Sequence, residues 1–98
     1  MTIEINKNAE ETVIEIAGRL DTITAPALDK TIQEDIGDTQ KLVLDAQNLE
    51  YISSAGLRVL LSAQKKMQQV GSMKLVNVRE EVMEVFEMTG FADILTIE

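Results

Sequence analysis

The chain has 98 residues, 17 of them acidic and 9 basic, which gives a formal net charge of −8. It contains neither cysteine nor histidine, so disulfides, thiolate chemistry, imidazole bases and the usual zinc sites are excluded. The acidic balance disfavours binding to nucleic acids and to anionic membranes, since both carry negative charge. We expect a single domain over residues 1–98 in the cytoplasm, because no apolar run approaches the roughly 20 residues of a membrane span and the N-terminus lacks signal-peptide character.

The first half of the chain predicts two strands, a loop and a helix. Two segments predict strands that pair as a hairpin. Polar and apolar residues alternate weakly over Thr2–Asn6, and β-branched residues predominate over Thr12–Ala17. The glycine that follows interrupts this pattern, and Gly18–Thr24 is interpreted as a loop with room for a short extended piece. A helix is then expected from near Thr24, whose hydroxyl can cap it, to a stop at Gly37.

The second half alternates strands with amphipathic helices. Lys41–Ala46 is apolar on both faces, as expected of a central, covered strand. The helix that begins near Ser54 carries apolar residues at i, i+3 and i+4 spacing up to Gly71. The remaining segments are interpreted as a strand at Met73–Val78, a helix from Glu80 to Gly90 and a short closing strand at Phe91–Ile97.

This order of elements, β-β-α-β-α-β-α-β, predicts an α/β fold. Strands separated by amphipathic helices form parallel pairs through right-handed crossovers. We therefore expect a mixed, mostly parallel sheet of four to five strands, with three to four helices packed mainly on one face. Four methionines are interpreted as residues that fill the core, although one of them can be exposed on the last helix: Met67, Met73, Met83 and Met88.

The junction between the central strand and the second helix is the most informative segment. Ser53 and Ser54 lie where the strand gives way to the helix. A hydroxyl at this place can cap the helix by accepting an otherwise unpaired N–H, and Gly56 then allows the helix to pack closely. It can also accept a phosphoryl group, because a helix N-terminus carries about half a positive charge and several free N–H groups. The residues alone leave both roles open. A hydroxyl that only caps the helix is commoner than one that also accepts a phosphoryl group.

Several segments resemble the anti-sigma-factor antagonists, the stand-alone members of the STAS domain family. The similarity covers nearly the whole chain and includes the Gly18–Asp21 turn, the strand end Leu44-Asp45, the junction Tyr51–Leu57 and the Met88–Phe91 turn. The junction is the most specific of these segments. The resemblance implies the STAS fold, a phosphoprotein role in signal transduction and transcription regulation, and no cofactor bound to this chain.

The family's usual junction is Asp-Ser-[Ser/Thr]-Gly-Leu, in which the first hydroxyl after the acid accepts the phosphoryl group. The resemblance therefore implies Ser54 as the acceptor. Ser53 takes the position of the acid, and Ala55 that of the second hydroxyl, so this chain departs from the pattern at two positions. Ser53 cannot supply a charge, and it stays as a competing acceptor.

The resemblance also implies a set of partners. The unphosphorylated chain would bind an anti-sigma factor that is itself an ATP-dependent serine kinase, and this binding would free the sigma factor. Phosphorylation would then release the chain, and a serine phosphatase of the metal-dependent class would reset it. We expect the free chain to be a monomer.

The contact surface for this partner is expected at the junction and at the loop before the first helix. If the central strands are neighbours, the loop places three residues beside Ser54: Asp21, Thr22 and Thr24. An acid such as Asp21 is as often a turn residue whose carboxylate binds its own backbone. Arg58 can pair with a partner acid or with the phosphate, although a solvated side chain is its commoner role. The predicted partner-binding set is Asp21, Thr22, Thr24, Ser53, Ser54, Ala55, Gly56 and Arg58.

Two other functional classes can use a pair of serines at a helix start. The first is a constitutive scaffold or sensor module of the same fold, in which the two serines only cap the helix. The second is an enzyme with a serine nucleophile, which is disfavoured because the chain has no histidine base and no Gly-x-Ser-x-Gly motif. The sequence therefore predicts a binding protein, not an enzyme, without a metal or cofactor site.

Overall fold

The computed structural model describes residues 1–98, which form one sheet and three α-helices. The strands are β1 (Thr2–Lys7), β2 (Thr12–Leu20), β3 (Lys41–Ile52) and β4 (Ser72–Val76). The helices are α1 (Ala25–Glu34), α2 (Ser54–Val70) and α3 (Glu80–Thr89), and a single 3-10 turn follows at Phe91–Asp93. None of the helices has both the length and the apolar character that crossing a bilayer requires.

The strands lie side by side in the order β1-β2-β3-β4. β1 and β2 form the antiparallel hairpin, whereas β3 runs parallel to both β2 and β4. The predicted mixed, mostly parallel sheet is therefore confirmed, with four strands. Because β2 and β3 are parallel neighbours, their carboxyl ends meet at one edge of the sheet, which places the loop before α1 beside the start of α2.

The hydrophobic core lies between the helices and one face of the sheet. Ile14 and Ile16 of β2 and Leu42 and Leu44 of β3 are at most 2% exposed, and they belong to a cluster of 21 buried residues. The helices contribute the other side of this cluster, including the fully buried Phe86. Burying one such side chain contributes about 1.5–3 kcal/mol, so this packing holds the helices against the sheet.

The segment after α3 differs from the predicted closing strand. Phe91–Asp93 forms a 3-10 helix, and Ile97 alone pairs with the sheet, through one parallel bridge to Leu75. Gly90 is the reason, because it ends α3 in the left-handed conformation at φ 85° and turns the chain before it can extend. The segment still contributes to the core, since Leu95 is only 5% exposed.

The predicted loop at Gly18–Thr24 and the predicted strand end at Ala46 are also corrected. Gly18 has φ 93° and lies where the pairing of β2 with β3 shifts its register, as at a bulge. Pairing resumes beyond this irregularity, so β2 continues to Leu20 and β3 to Ile52. Both strands therefore reach further toward the junction than the sequence pattern indicates.

The methionines behave as predicted. Met67 and Met73 are buried, and Met83 is half-buried against the core. Met88, on the last helix, is 87% exposed.

The face of the sheet away from the helices carries a row of three carboxyl groups. Glu4 lies opposite Glu15, and Glu15 lies opposite Asp45. The hydrogen bond with Glu4 is the main cause that raises the pKa of Glu15 above its ordinary value of 4.5, and the charges of Glu4 and Asp45 act in the same direction. A proton held more tightly in the folded state stabilises the fold below pH 4.5, and that stabilisation is lost as the pH rises through the raised pKa.

Glu4→Gln is therefore expected to raise the thermal midpoint of unfolding more at pH 7 than at pH 4. The substitution removes one of two like charges that face each other across the strands, and it brings the pKa of Glu15 back toward its ordinary value. Thermal melts at the two pH values measure the effect. Glu10→Gln, which neutralises an exposed acid in the β1–β2 turn, is the control, and equal shifts in both variants would contradict the prediction.

Candidate functional site

Ser53 caps helix α2. Its backbone is extended, with φ −99° and ψ 177°, and its Oγ accepts a hydrogen bond of 3.4 Å from the N–H of Gly56. Its carbonyl oxygen accepts a hydrogen bond of 2.9 Å from the N–H of Leu57. The cap that the sequence left unassigned between two serines is therefore Ser53, which is half-buried.

Ser54 is the first residue of α2, and its side chain is exposed. Because Ser53 provides the cap, the Ser54 hydroxyl is not needed for that role. The unpaired N–H groups at the start of α2 favour negative charge, and the exposed Arg58 follows one turn later on the same side of the helix. The site thus combines an accessible hydroxyl with surroundings that tolerate an anion.

Gly56 brings α2 into direct contact with the ends of β2 and β3. It is buried, and a Cβ added there would lie 2.8 Å from both Ile52 Cγ1 and Leu20 Cγ. The N–H of Ser53 also donates a hydrogen bond of 2.9 Å to the carbonyl oxygen of Leu20. Packing and hydrogen bonding together fix the two serines relative to the end of β2.

The loop between β2 and α1 is held by reciprocal hydrogen bonds. Asp21 Oδ1 accepts from the N–H groups of Ile23 at 3.0 Å and Thr24 at 3.1 Å. In return, Thr24 Oγ1 accepts from the N–H of Asp21 at 2.8 Å and donates to the carbonyl oxygen of Arg19 at 2.7 Å. Thr24 precedes α1 as predicted, but its side chain does not cap the helix, because it stabilises this loop instead.

These contacts also determine the charge of Asp21. The hydrogen bond from the Thr24 N–H is the main cause that lowers the pKa of this carboxyl below its ordinary value, and the Ile23 N–H, the Thr24 hydroxyl and the Arg19 guanidinium add to it. Partial burial opposes the shift. The interpretation of Asp21 as a turn residue that binds its own backbone is confirmed, and its contact with a partner stays a prediction.

A family model described as the STAS domain matches residues 1–98. The chain belongs to the STAS domain family. BtrV of Bordetella bronchiseptica is 46% identical over 66 residues, which cover 66% of this chain and only 56% of BtrV. The anti-sigma-B factor antagonist of Bacillus subtilis is 29% identical over 98 residues, which cover 99% of this chain and 90% of that protein.

A solved structure supports the same conclusion about the fold. The phosphorylated form of the Bacillus cell fate determinant SpoIIAA superposes with a TM-score of 0.76 at 20% identity, over 99% of this chain and 91% of that one. The predicted STAS-like fold is therefore confirmed.

This STAS domain presents the predicted partner-binding residues at three levels of exposure. Thr22, Ser54 and Arg58 are exposed. Asp21, Thr24, Ser53 and Ala55 are half-buried. Gly56 is buried, so it shapes the surface through packing and offers no side chain to a partner.

Three residues near the two serines of this STAS domain were not in the predicted partner-binding set. The Arg19 guanidinium lies 4.1 Å from the centre of the Tyr51 ring, and Tyr51 is 41% exposed. Ile23 is 86% exposed in the loop before α1. Arg19 and Tyr51 are opposite each other only because β2 and β3 continue past Gly18, and the sequence pattern hid that continuation.

Proposed function

We propose that this chain is an anti-sigma-factor antagonist whose binding to its partner is gated by phosphorylation of Ser54. In this proposal the unphosphorylated chain binds an anti-sigma factor with serine-kinase activity and so releases the sigma factor. Membership of the STAS domain family and the name of the Bacillus subtilis relative support the general role. The observation that carries the gate is the exposed Ser54 hydroxyl at the start of α2, with Ser53 as the separate cap.

The physical basis of the gate is the charge of a phosphate in an interface. A phosphoserine carries about −1.5 to −2 charges at neutral pH. The N-terminus of α2 and Arg58 compensate that charge within the folded domain, so the fold tolerates the modification. A partner surface that faced the neutral hydroxyl would lose binding through repulsion and desolvation, because one buried charge without a partner costs several kcal/mol.

The chemical step is a phosphoryl transfer from ATP. The Ser54 oxygen forms a new O–P bond to the γ-phosphorus while the bond between that phosphorus and the β-γ bridging oxygen breaks, and ADP leaves. The hydroxyl proton passes to a base on the kinase. A metal-dependent serine phosphatase hydrolyses the ester with water and restores the hydroxyl. ATP and metal ions belong to these partners, so this chain needs no cofactor of its own.

Phosphate mapping tests the proposal. We expect the anti-sigma-factor kinase encoded in the same genome, purified and supplied with ATP, to phosphorylate the wild-type chain on Ser54. The tryptic peptide spanning residues 42–58 holds both serines with Tyr51 as its only other hydroxyl, so fragmentation in a mass spectrometer assigns the position.

Two single substitutions are the matched controls for this experiment. Ser53→Ala should still accept the phosphate, whereas Ser54→Ala should accept none. Phosphate found only on Ser53 of the wild-type chain would mean that Ser53, and not Ser54, is the acceptor. A wild-type chain that binds the kinase but is never phosphorylated would contradict the gate and favour a constitutive scaffold, in which Ser53 only caps α2.

A further inference from the structure

The hydroxyl of Ser53 carries a proton that no atom of the domain accepts. Its oxygen accepts the hydrogen bond of 3.4 Å from the N–H of Gly56, but the hydroxyl donates to no protein oxygen. A serine hydroxyl can donate one hydrogen bond and accept two, so capping α2 uses only part of this capacity. The cap is also longer than the usual range of about 2.7–3.2 Å, which leaves the side chain room to adjust. Ser53 is therefore an available donor directly beside the proposed acceptor, Ser54.

The carboxylate of the neighbouring loop does not take this proton. Asp21 Oδ1 accepts from the N–H groups of Ile23 and Thr24 and from the Thr24 hydroxyl at 3.1 Å. Ser53 is linked to this part of the chain only through its N–H, which donates to the carbonyl oxygen of Leu20. The proton of the Ser53 hydroxyl is thus left for an acceptor that the unmodified domain does not contain.

The Ser53 oxygen lies at the group of N–H donors that would hold a phosphate on Ser54. The first i→i−4 hydrogen bond of α2 runs from the N–H of Leu57 to the Ser53 carbonyl oxygen. The helix itself therefore supplies no acceptor for the N–H groups of Ser54, Ala55 and Gly56, and Ser53 Oγ occupies the last of these three. A phosphate on Ser54 is favoured at the other two, because such N–H groups bind anions. That position brings the phosphate next to the Ser53 side chain.

We propose that the Ser53 hydroxyl donates a hydrogen bond to the phosphate of phosphorylated Ser54 while its oxygen continues to cap α2. This inference rests on the proposed function, in which Ser54 is the acceptor, and adds a phosphate-binding residue to it. A hydrogen bond to an ionised acceptor strengthens with the acceptor's charge, so Ser53 favours the doubly charged phosphate. The phosphate then keeps its second charge, and the gate stays closed, as the pH falls toward the value of about 6 at which a phosphoserine otherwise takes up a proton.

The test uses full-length chains in which phosphoserine is inserted at position 54 during translation, so it needs no kinase. Titration followed by phosphorus NMR gives the pKa of the phosphate. Ser53→Ala removes the hydroxyl, and Ser53→Thr retains one and serves as the rescue variant. Ser53→Gly also removes the hydroxyl and replaces the alanine variant if that chain does not fold, because glycine is tolerated at a helix N-cap. Ser62→Ala, which truncates an exposed serine further along α2, is the control, and thermal melts identify the folded variants.

We expect Ser53→Ala to raise the pKa of the phosphate by about half a unit or more, and Ser53→Thr and Ser62→Ala to leave it close to that of the unsubstituted phosphorylated chain. Loss of the cap alone has the opposite effect, because it releases the N–H of Gly56 to the phosphate and lowers this pKa. An unchanged or lowered pKa in the alanine or glycine variant would overturn the inference, and so would an equal rise in Ser53→Thr or Ser62→Ala. The proposed function fails separately, through a kinase that binds the chain and never phosphorylates Ser54.

Discussion

Ser54→Asp is expected to weaken binding to the anti-sigma-factor kinase at least about 30-fold relative to the wild type. In the proposed interface the carboxylate places a negative charge where the exposed Ser54 hydroxyl would face the partner, and a charge left unpaired in an interface costs about 2–5 kcal/mol. The fold should be unaffected, because an acid in the first turn of a helix is stabilised by the free N–H groups there. Calorimetric titration of the purified kinase, without ATP, measures the change.

Ser54→Asn is the matched control, because asparagine has nearly the same shape as aspartate and no charge. It should bind much more tightly than Ser54→Asp, and Ser54→Ala should bind like the wild type and stay bound when ATP is added. Ser54→Ala should also keep the thermal stability of the wild type, since the cap of α2 is the Ser53 oxygen. If the Asp and Asn variants bind with equal affinity, the gate is steric and the electrostatic explanation is wrong.

The order of the elements could be predicted because it follows from hydrophobic periodicity. The pattern of β2, β3 and the helices is set by the residues that face one core, and those residues recur at fixed spacing. The ends of the elements could not be predicted in the same way. Gly18 interrupts the pattern of β2, but a bulge lets the strand continue to Leu20, and only the pairing with β3 reveals this. The apolar alternation after Gly90 likewise indicated a strand, although the left-handed turn at that glycine leads into a 3-10 helix.

The strand-to-helix junction that carries the candidate site could be predicted from the sequence, but the roles of its two serines could not be divided. Ser53 and Ser54 are adjacent hydroxyls at a helix start, and spacing alone does not determine which of them caps. The extended backbone of Ser53 decides it, because that conformation turns the Oγ toward the N–H of Gly56. The exposure of Ile23 could not be predicted either, since it depends on the conformation of the loop, in which Asp21 and Thr24 are hydrogen-bonded to each other.

Gly56→Ala is expected to destabilise the fold by about 1–3 kcal/mol and to weaken binding as well. The added methyl would lie 2.8 Å from side-chain atoms of Leu20 and Ile52, and 3.0 Å from the Leu20 carbonyl oxygen. The side chains can shift a little, but the carbonyl is fixed by its hydrogen bond from the Ser53 N–H. Relief of the overlap must therefore move α2, and with it Ser54, away from the end of β2. Chemical denaturation and calorimetric titration measure the two effects.

Gly90→Ala separates loss of stability from displacement of the site. Nothing lies within 4 Å of a Cβ added at Gly90, so this variant creates no overlap, but alanine disfavours the left-handed φ of 85°. The expected cost is about 1–2 kcal/mol, similar to that of Gly56→Ala, and it falls at the end of α3 and not at the junction. Measured well below the melting temperature, Gly90→Ala should bind the kinase like the wild type and Gly56→Ala should bind it more weakly. Equal affinities for the two variants would mean that the close packing of α2 on Leu20 serves the stability of the domain alone and does not position Ser54 for the partner.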